Sequence, residues 1–133
     1  FKIGMLLKEL TTKYKINPKY ILGHSDIAPT RKFDPGPKFP WKYLYDQYGV
    51  GAWFEKDDFN TFYSEKLFKA HSIKDLKDEL RKYGYDVNST DTWDLQSKKV
   101  ISAFQMHFRP RKVDGIFDLE TFAIIKALNK KYK

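Results

Sequence analysis

Val100-Ile101-Ser102-Ala103-Phe104-Gln105-Met106-His107-Phe108-Arg109-Pro110 decides how the second half of this chain folds. Val100, Ile101, Phe104 and Phe108 recur at the three- and four-residue spacing of one helix face. Pro110, which lacks an amide hydrogen and crowds the preceding turn, ends the run, and Asp94 stands near its start. Upstream, Ser72-Ile73-Lys74-Asp75 has the form of a capping box, in which a hydroxyl and a carboxylate satisfy unpaired amides at a helix start. The helix it opens carries Ile73, Leu76, Leu80 and Tyr83 on one stripe and meets Gly84 where a C-terminal cap belongs. Downstream, Asp118 is placed to cap a third helix with Phe122, Ile125, Leu128 and Tyr132 on its apolar face. Three apolar stripes in so short a stretch predict a compact three-helix bundle over residues 71–133.

The first half reads differently. Ile3, Leu6, Leu7, Leu10 and Tyr14 predict an amphipathic helix that ends by Asn17-Pro18. Tyr20-Ile21-Leu22-Gly23 is short, apolar and β-prone, which predicts a buried strand with His24 at its end. Residues 25–41 hold Pro29, Pro35, Pro37 and Pro40 together with Gly36, so a long ordered loop is expected, packed by Phe33, Phe39 and Trp41. A short helix over 41–48 follows, then an exit at residues 49–53. The resulting organisation is an α+β chain: residues 1–55 as one part, 56–70 as a linker that carries several aromatic side chains, and 71–133 as the bundle.

Composition narrows the function classes. The chain has no cysteine, so disulfides and thiol chemistry are excluded and any metal must be held by His, Asp or Glu. No apolar run approaches the roughly 18 residues of a membrane-spanning helix. The net charge of +8 is spread evenly, with nine basic and five acidic residues in 1–55 and thirteen and nine in 71–133. Without a basic block or a base-reading helix, this pattern argues against nucleic acid and is compatible with an anionic polymer.

His24 and Asp34 offer an imidazole and a carboxylate ten positions apart, joined by a proline-stiffened loop that can bring them together. Both are good zinc ligands, yet a catalytic zinc usually takes three protein ligands, so the pair is one short. A lone His and an Asp before Pro are also ordinary hydrogen-bonded loop residues. Composition and spacing leave both readings open.

Gly23 through Trp41, containing Gly23-His24-Ser25-Asp26-Ile27-Ala28-Pro29 and Arg31-Lys32-Phe33-Asp34-Pro35-Gly36-Pro37, resembles the second half of the zinc site of the type-2 N-acetylmuramoyl-L-alanine amidases, in their AmiD/AmpD-like branch. The resemblance implies that His24 and Asp34 are zinc ligands and that Lys32 stands beside the metal-bound water as a catalytic residue. It leaves Asp26 as a carboxylate bracing the loop. The family's first zinc-binding His and a Glu serving proton transfer have no counterpart in this sequence, and His71 and His107 are read as structural or exposed residues rather than substitutes for the missing ligand. The chain by itself is therefore expected to bind zinc weakly and to be inactive, with the N-terminal part of the same enzyme as its partner.

Ala103-Phe104-Gln105, with Asp114-Gly115-Ile116-Phe117-Asp118 and Thr121, resembles the peptidoglycan-binding three-helix module. Phe108, Arg109 and the Asp114 turn are its candidate wall contacts. Together the resemblances imply a periplasmic or envelope hydrolase, its parent anchored to the outer membrane, that acts on peptidoglycan or muropeptides at the bond between N-acetylmuramic (or anhydromuramic) acid and L-alanine. The alternative is a non-catalytic peptidoglycan-binding protein derived from a truncated amidase.

Overall fold

The computed structural model describes residues 2–23, 26 and 38–132. Its helices are α1 (Lys2–Tyr14), a 3-10 turn (Pro18–Tyr20), α2 (Trp41–Tyr48), α3 (Lys56–Phe62), α4 (Glu65–Lys69), α5 (Ile73–Tyr83), α6 (Leu95–Phe108) and α7 (Leu119–Lys131).

The caps read from the sequence account for the starts of the bundle helices. The Ser72 hydroxyl accepts from the Asp75 amide at 3.1 Å while the Asp75 carboxylate accepts from the Ser72 amide at 3.0 Å. Asp94 and Asp118 cap α6 and α7 by accepting from the amides of Ser97 and Thr121, each at 2.9 Å. Such caps typically contribute about 1 kcal/mol each. At the far end of α5, Gly84 adopts φ +129°, a backbone region that side-chain-bearing residues avoid.

The bundle's core is built on Leu80, Val100, Ile101, Phe104, Phe122, Ile125 and Leu128, all wholly covered. Burying side chains of this size contributes roughly 1.5–3 kcal/mol apiece. The same apolar cluster continues into the first half through Trp41, Ala52 and Trp53. Residues 56–70 are helical rather than extended, and α3 lies against α7. Lys130 pairs with Asp58 at 2.7 Å, Lys131 with Glu55 at 2.6 Å, and the Tyr132 hydroxyl accepts from the Trp53 amide at 3.2 Å.

Two expectations for the first half need correction. Residues 20–23 are not a strand, and the described residues contain helices and no strand, so the α+β class is not seen among them. The reason is local: the Asn17 side chain accepts from the Lys19 amide at 3.0 Å, Pro18 sets the first turn, and the amides of Tyr20 and Ile21 return to the carbonyls of Asn17 and Pro18. Those amides are no longer free for a ladder, and Tyr20 is left exposed. The second correction concerns α1. Its periodicity is helical as expected, but the predicted buried stripe is open, with Leu6 54% and Tyr14 64% exposed. Among the described residues α2 is the helix that packs most against α1, and Leu6 and Tyr14 stay exposed beside it. No helix among the described residues is long and apolar enough to cross a membrane.

Candidate functional site

His24, Lys32 and Asp34 lie outside the described residues. Asp26, which shares their loop, is described and almost fully buried. One of its carboxylate oxygens accepts from the Tyr85 hydroxyl at 2.5 Å, and the other from His107 Nδ1 at 2.8 Å and the Gly23 amide at 3.1 Å. The first two donors come from the bundle, 59 and 81 residues further along the chain. His107 is sandwiched between Trp41, 4.0 Å away and nearly parallel, and Phe108 at 4.1 Å. Burial together with the neighbouring Asp26 carboxylate pushes the Tyr85 hydroxyl well above its ordinary pKa, so it stays protonated and donates. Asp26 is thus anchored by partners on the bundle that the sequence does not announce, while the rest of the segment it was expected to brace lies outside the described residues. The structural reading of His71 holds: its ring nitrogen contacts the Leu67 carbonyl at 2.8 Å and its ring meets the edge of Phe122. Among the described residues no group of three or more His, Asp or Glu side chains could hold a metal ion.

A second arrangement joins every polar element of the Ala-Phe-Gln and Asp-Gly segments. Gln105 is wholly covered. Its Oε1 accepts from the amides of Asp114 and Gly115 at 3.0 and 2.9 Å, and its Nε2 donates to the Ile116 carbonyl at 2.9 Å and to Thr121 Oγ1 at 3.1 Å. Thr121 passes its own hydrogen to Asp118 at 2.7 Å. Gly115 sits at φ +71°, and a Cβ there would come within 3.0 Å of Ser102 Oγ and 3.1 Å of the Lys98 carbonyl, so only glycine fits this turn. Phe108 and Arg109, expected as exposed wall contacts, are each only 3% exposed. The Arg109 guanidinium is consumed by Asp118 at 2.6 and 2.7 Å and Glu120 at 3.1 Å, because a buried cation must be paired.

Lys77 is a functional-looking residue that the sequence conceals among many lysines. It is wholly covered, and its ammonium donates to Asn88 Oδ1, Thr90 Oγ1 and the Thr92 carbonyl at 2.7–2.9 Å, pinning the loop between α5 and α6. Burial pulls its pKa below the ordinary lysine value. Asn88 in turn donates to Asp94 at 2.7 Å. Hydrogen bonds from the Ser97 side chain and amide hold the Asp94 carboxyl down at about 2 against an ordinary 3.8. A folded-state pKa below the unfolded one contributes stability at neutral pH that disappears on acidification through that window. The thermal midpoint is accordingly expected to fall as pH drops from 3.8 toward about 2, with Asp94→Asn showing a shallower fall, as followed by circular dichroism.

Comparison with known proteins places these features. The family model described as "Putative peptidoglycan binding domain" matches residues 69–125. N-acetylmuramoyl-L-alanine amidase AmiD of Escherichia coli (strain K12) is 43% identical over 130 residues, 96% of this chain and 46% of AmiD. Its homologues are N-acetylmuramoyl-L-alanine amidases of the AmiD and AmpD kind. The crystal structure of AmpDh3 from Pseudomonas aeruginosa in complex with anhydromuramic pentapeptide superposes with a TM-score of 0.89 at 41% identity, covering 98% of this chain and 51% of that one. The E. coli AmiD structure in complex with its substrate anhydro-N-acetylmuramic acid-L-Ala-D-γ-Glu-L-Lys gives a TM-score of 0.85 at 40% identity, covering 98% of this chain and 50% of that one. The helical fold described above is therefore that of the corresponding part of these amidases. The chain spans about half the length of the relatives it matches.

Proposed function

We propose that this chain is part of a peptidoglycan amidase, supplying the second half of the catalytic site and the module that holds the wall. The observation that carries this reading is the coincidence of two matches on one chain. One is 43% identity to AmiD over nearly all of its length, and the other is the peptidoglycan-binding match confined to the bundle. In the reaction, water adds to the carbonyl joining the muramic lactyl group to L-alanine, the C–N bond breaks, and the L-alanine nitrogen leaves with a proton. His24 and Asp34 have the donor chemistry of zinc ligands and would hold a zinc ion, which when bound would lower the pKa of a water and polarise the scissile carbonyl. Lys32 carries a positive charge in the same loop and would steady the oxyanion of the tetrahedral adduct, an effect worth a few kcal/mol in comparable sites. The remaining ligand comes, in this reading, from the part of the amidase that this chain does not span. Asp26 lies between His24 and Lys32 in sequence, and its bonds to Tyr85 and His107 join the chain at that point to the bundle. An envelope or periplasmic setting suits a hydrolase whose second module holds cell wall, because tethering raises the local concentration of an insoluble substrate.

The test uses the protein as isolated from its cells, with any companion polypeptide retained. Incubation with anhydro-N-acetylmuramic acid-L-Ala-D-γ-Glu-L-Lys should give the free sugar acid and the free tripeptide by mass spectrometry, and His24→Ala or Asp34→Ala should abolish the release. A muropeptide that stays intact under conditions in which AmiD cleaves it would sink the amidase reading.

A further inference from the structure

Alongside the bundle runs a groove that the residues of the peptidoglycan-binding signature do not explain. One stretch of it, about 400 Å³, lies between α3 and the junction of α6 with α7 and is lined by Phe54, Phe59, Asn60, Phe108, Pro110 and Arg111. A second stretch, about 260 Å³, is lined by Tyr63, Arg111, Lys112 and Leu119. Arg109, Arg111 and Glu120 border both stretches, so the two adjoin. Along the α3 side the rings form an unbroken row: Trp53 to Phe54 at 5.2 Å, Phe54 to Phe59 at 5.6 Å and Phe59 to Tyr63 at 5.5 Å between centroids. Arg109, which borders both stretches, is held by Asp118 and Glu120. The rim is cationic and has donors to spare. Lys56 forms no ion pair among the described residues, and Arg111, with a side chain 65% exposed, spends part of its five-donor guanidinium on Glu120 alone.

We infer that this groove, and not the bundle alone, is where the chain holds peptidoglycan, with sugar and apolar peptide faces on the Phe54–Phe59–Tyr63 row and stem-peptide carboxylates on Lys56 and Arg111. The inference rests on the reading of the bundle as a wall-binding module and deepens it by naming the seat. Recognition sites of this kind combine an apolar, aromatic lining with a few placed polar groups. The occupant fits by charge: in the peptide of the AmiD complex the γ-linked glutamate keeps its α-carboxylate free and the terminal lysine carries another. Charge-assisted bonds from a guanidinium to such carboxylates are the strong, directional ones. It also gives the aromatic residues of 54–63 a purpose, although they lie before the matched module at 69–125. Side chains on this strip would otherwise be an apolar row left partly open to water, with Tyr63 52% exposed.

Two measurements test the assignment. Retention of the chain on purified insoluble cell walls is compared for the unmodified protein, the double variant Lys56→Ala/Arg111→Ala, Tyr63→Ala, and the control Lys66→Ala/Lys99→Ala, whose lysines are exposed and do not line the groove. The groove variants should lose affinity by about tenfold or more and the control should not change, the scale expected for losing charge-assisted contacts. Backbone amide shifts of the unmodified chain, titrated with anhydro-N-acetylmuramic acid-L-Ala-D-γ-Glu-L-Lys, should include Phe59, Asn60, Tyr63, Arg111 and Glu120, and this needs no variant to fold. If the unmodified chain is not retained on walls, the wall-binding reading itself fails and the groove with it. If it is retained while the groove variants bind equally well, or if the shifts fall only on other residues, the groove assignment alone is overturned.

Discussion

Asp26→Ala is expected to lower the unfolding free energy by about 3–5 kcal/mol, the range for removing one partner of a buried charged hydrogen-bond cluster. The carboxylate is nearly fully covered and serves three donors at once, the Tyr85 hydroxyl, His107 and the Gly23 amide. Truncation leaves a buried phenol hydrogen and a buried imidazole hydrogen without acceptors, and each orphaned group costs about 1–3 kcal/mol. Part of the loss is recoverable. Asp26→Asn retains an acceptor for Tyr85, and because an imidazole can carry its hydrogen on either nitrogen, His107 can turn from donor to acceptor toward the new amide. His107 Nε2 has no partner among the described residues, so moving the hydrogen there is itself penalised, and the asparagine variant should fall between the other two. Urea unfolding followed by tryptophan fluorescence reads this directly, since Trp41 stacks on His107. An alanine variant within 1 kcal/mol of the unmodified chain would contradict the account. Asp26 falls between His24 and Lys32 in sequence, and its partners on α6 and beside α5 fix the chain at residue 26 to the bundle.

Gln105→Ala should cost a similar amount, about 3–5 kcal/mol, by a different route. The side chain is wholly covered and its amide is the only link between the α6 helix and the backbone amides of Asp114 and Gly115 among the described residues. Alanine leaves a cavity and two unpaired amides, while the Ile116 carbonyl keeps only the Asp118 amide. Gln105→Glu separates hydrogen bonding from volume. It fills the space and still accepts from the two amides, but sets its second oxygen against the Ile116 carbonyl and the Asp114 carboxylate, which now receive the Nε2 hydrogens at 2.9 and 3.2 Å. Acceptor facing acceptor in a covered site is unfavourable, so glutamate should rescue little at neutral pH. The measurement is the urea midpoint of both variants, and full rescue by glutamate would show that packing, not donation, is the contribution. With whole-domain stabilities of about 5–15 kcal/mol, losses of this size bring the bundle close to unfolding.

These two residues also mark where reading the sequence stopped. Asp26 was read as a brace through the resemblance of its segment to a zinc site, but nothing within one turn of it in sequence points to Tyr85 or His107. Gln105 belongs to a recognisable signature whose phenylalanine explains itself by periodicity, while the glutamine acts on a turn nine and ten residues away. Lys77 was invisible for the same reason: a lysine on an amphipathic helix is expected in solvent, and only the return of the loop carrying Asn88, Thr90 and Thr92 covers it. Arg109 went the other way, from expected surface contact to interior ion pair.

The sequence by itself determined the helices of the bundle, their starts at Ser72, Asp94 and Asp118, the stop before Pro110 and the glycine turn at 115, because these depend on interactions within a turn or two of chain. It also determined the helix over Lys2–Tyr14, though not whether its apolar stripe is covered. Tertiary structure alone decided that the segment before the bundle packs α3 against α7 and that Asp26 is anchored on residues far along the chain. A helix satisfies its own backbone and can be read locally, whereas a strand, a buried charge and a groove exist only once distant segments meet.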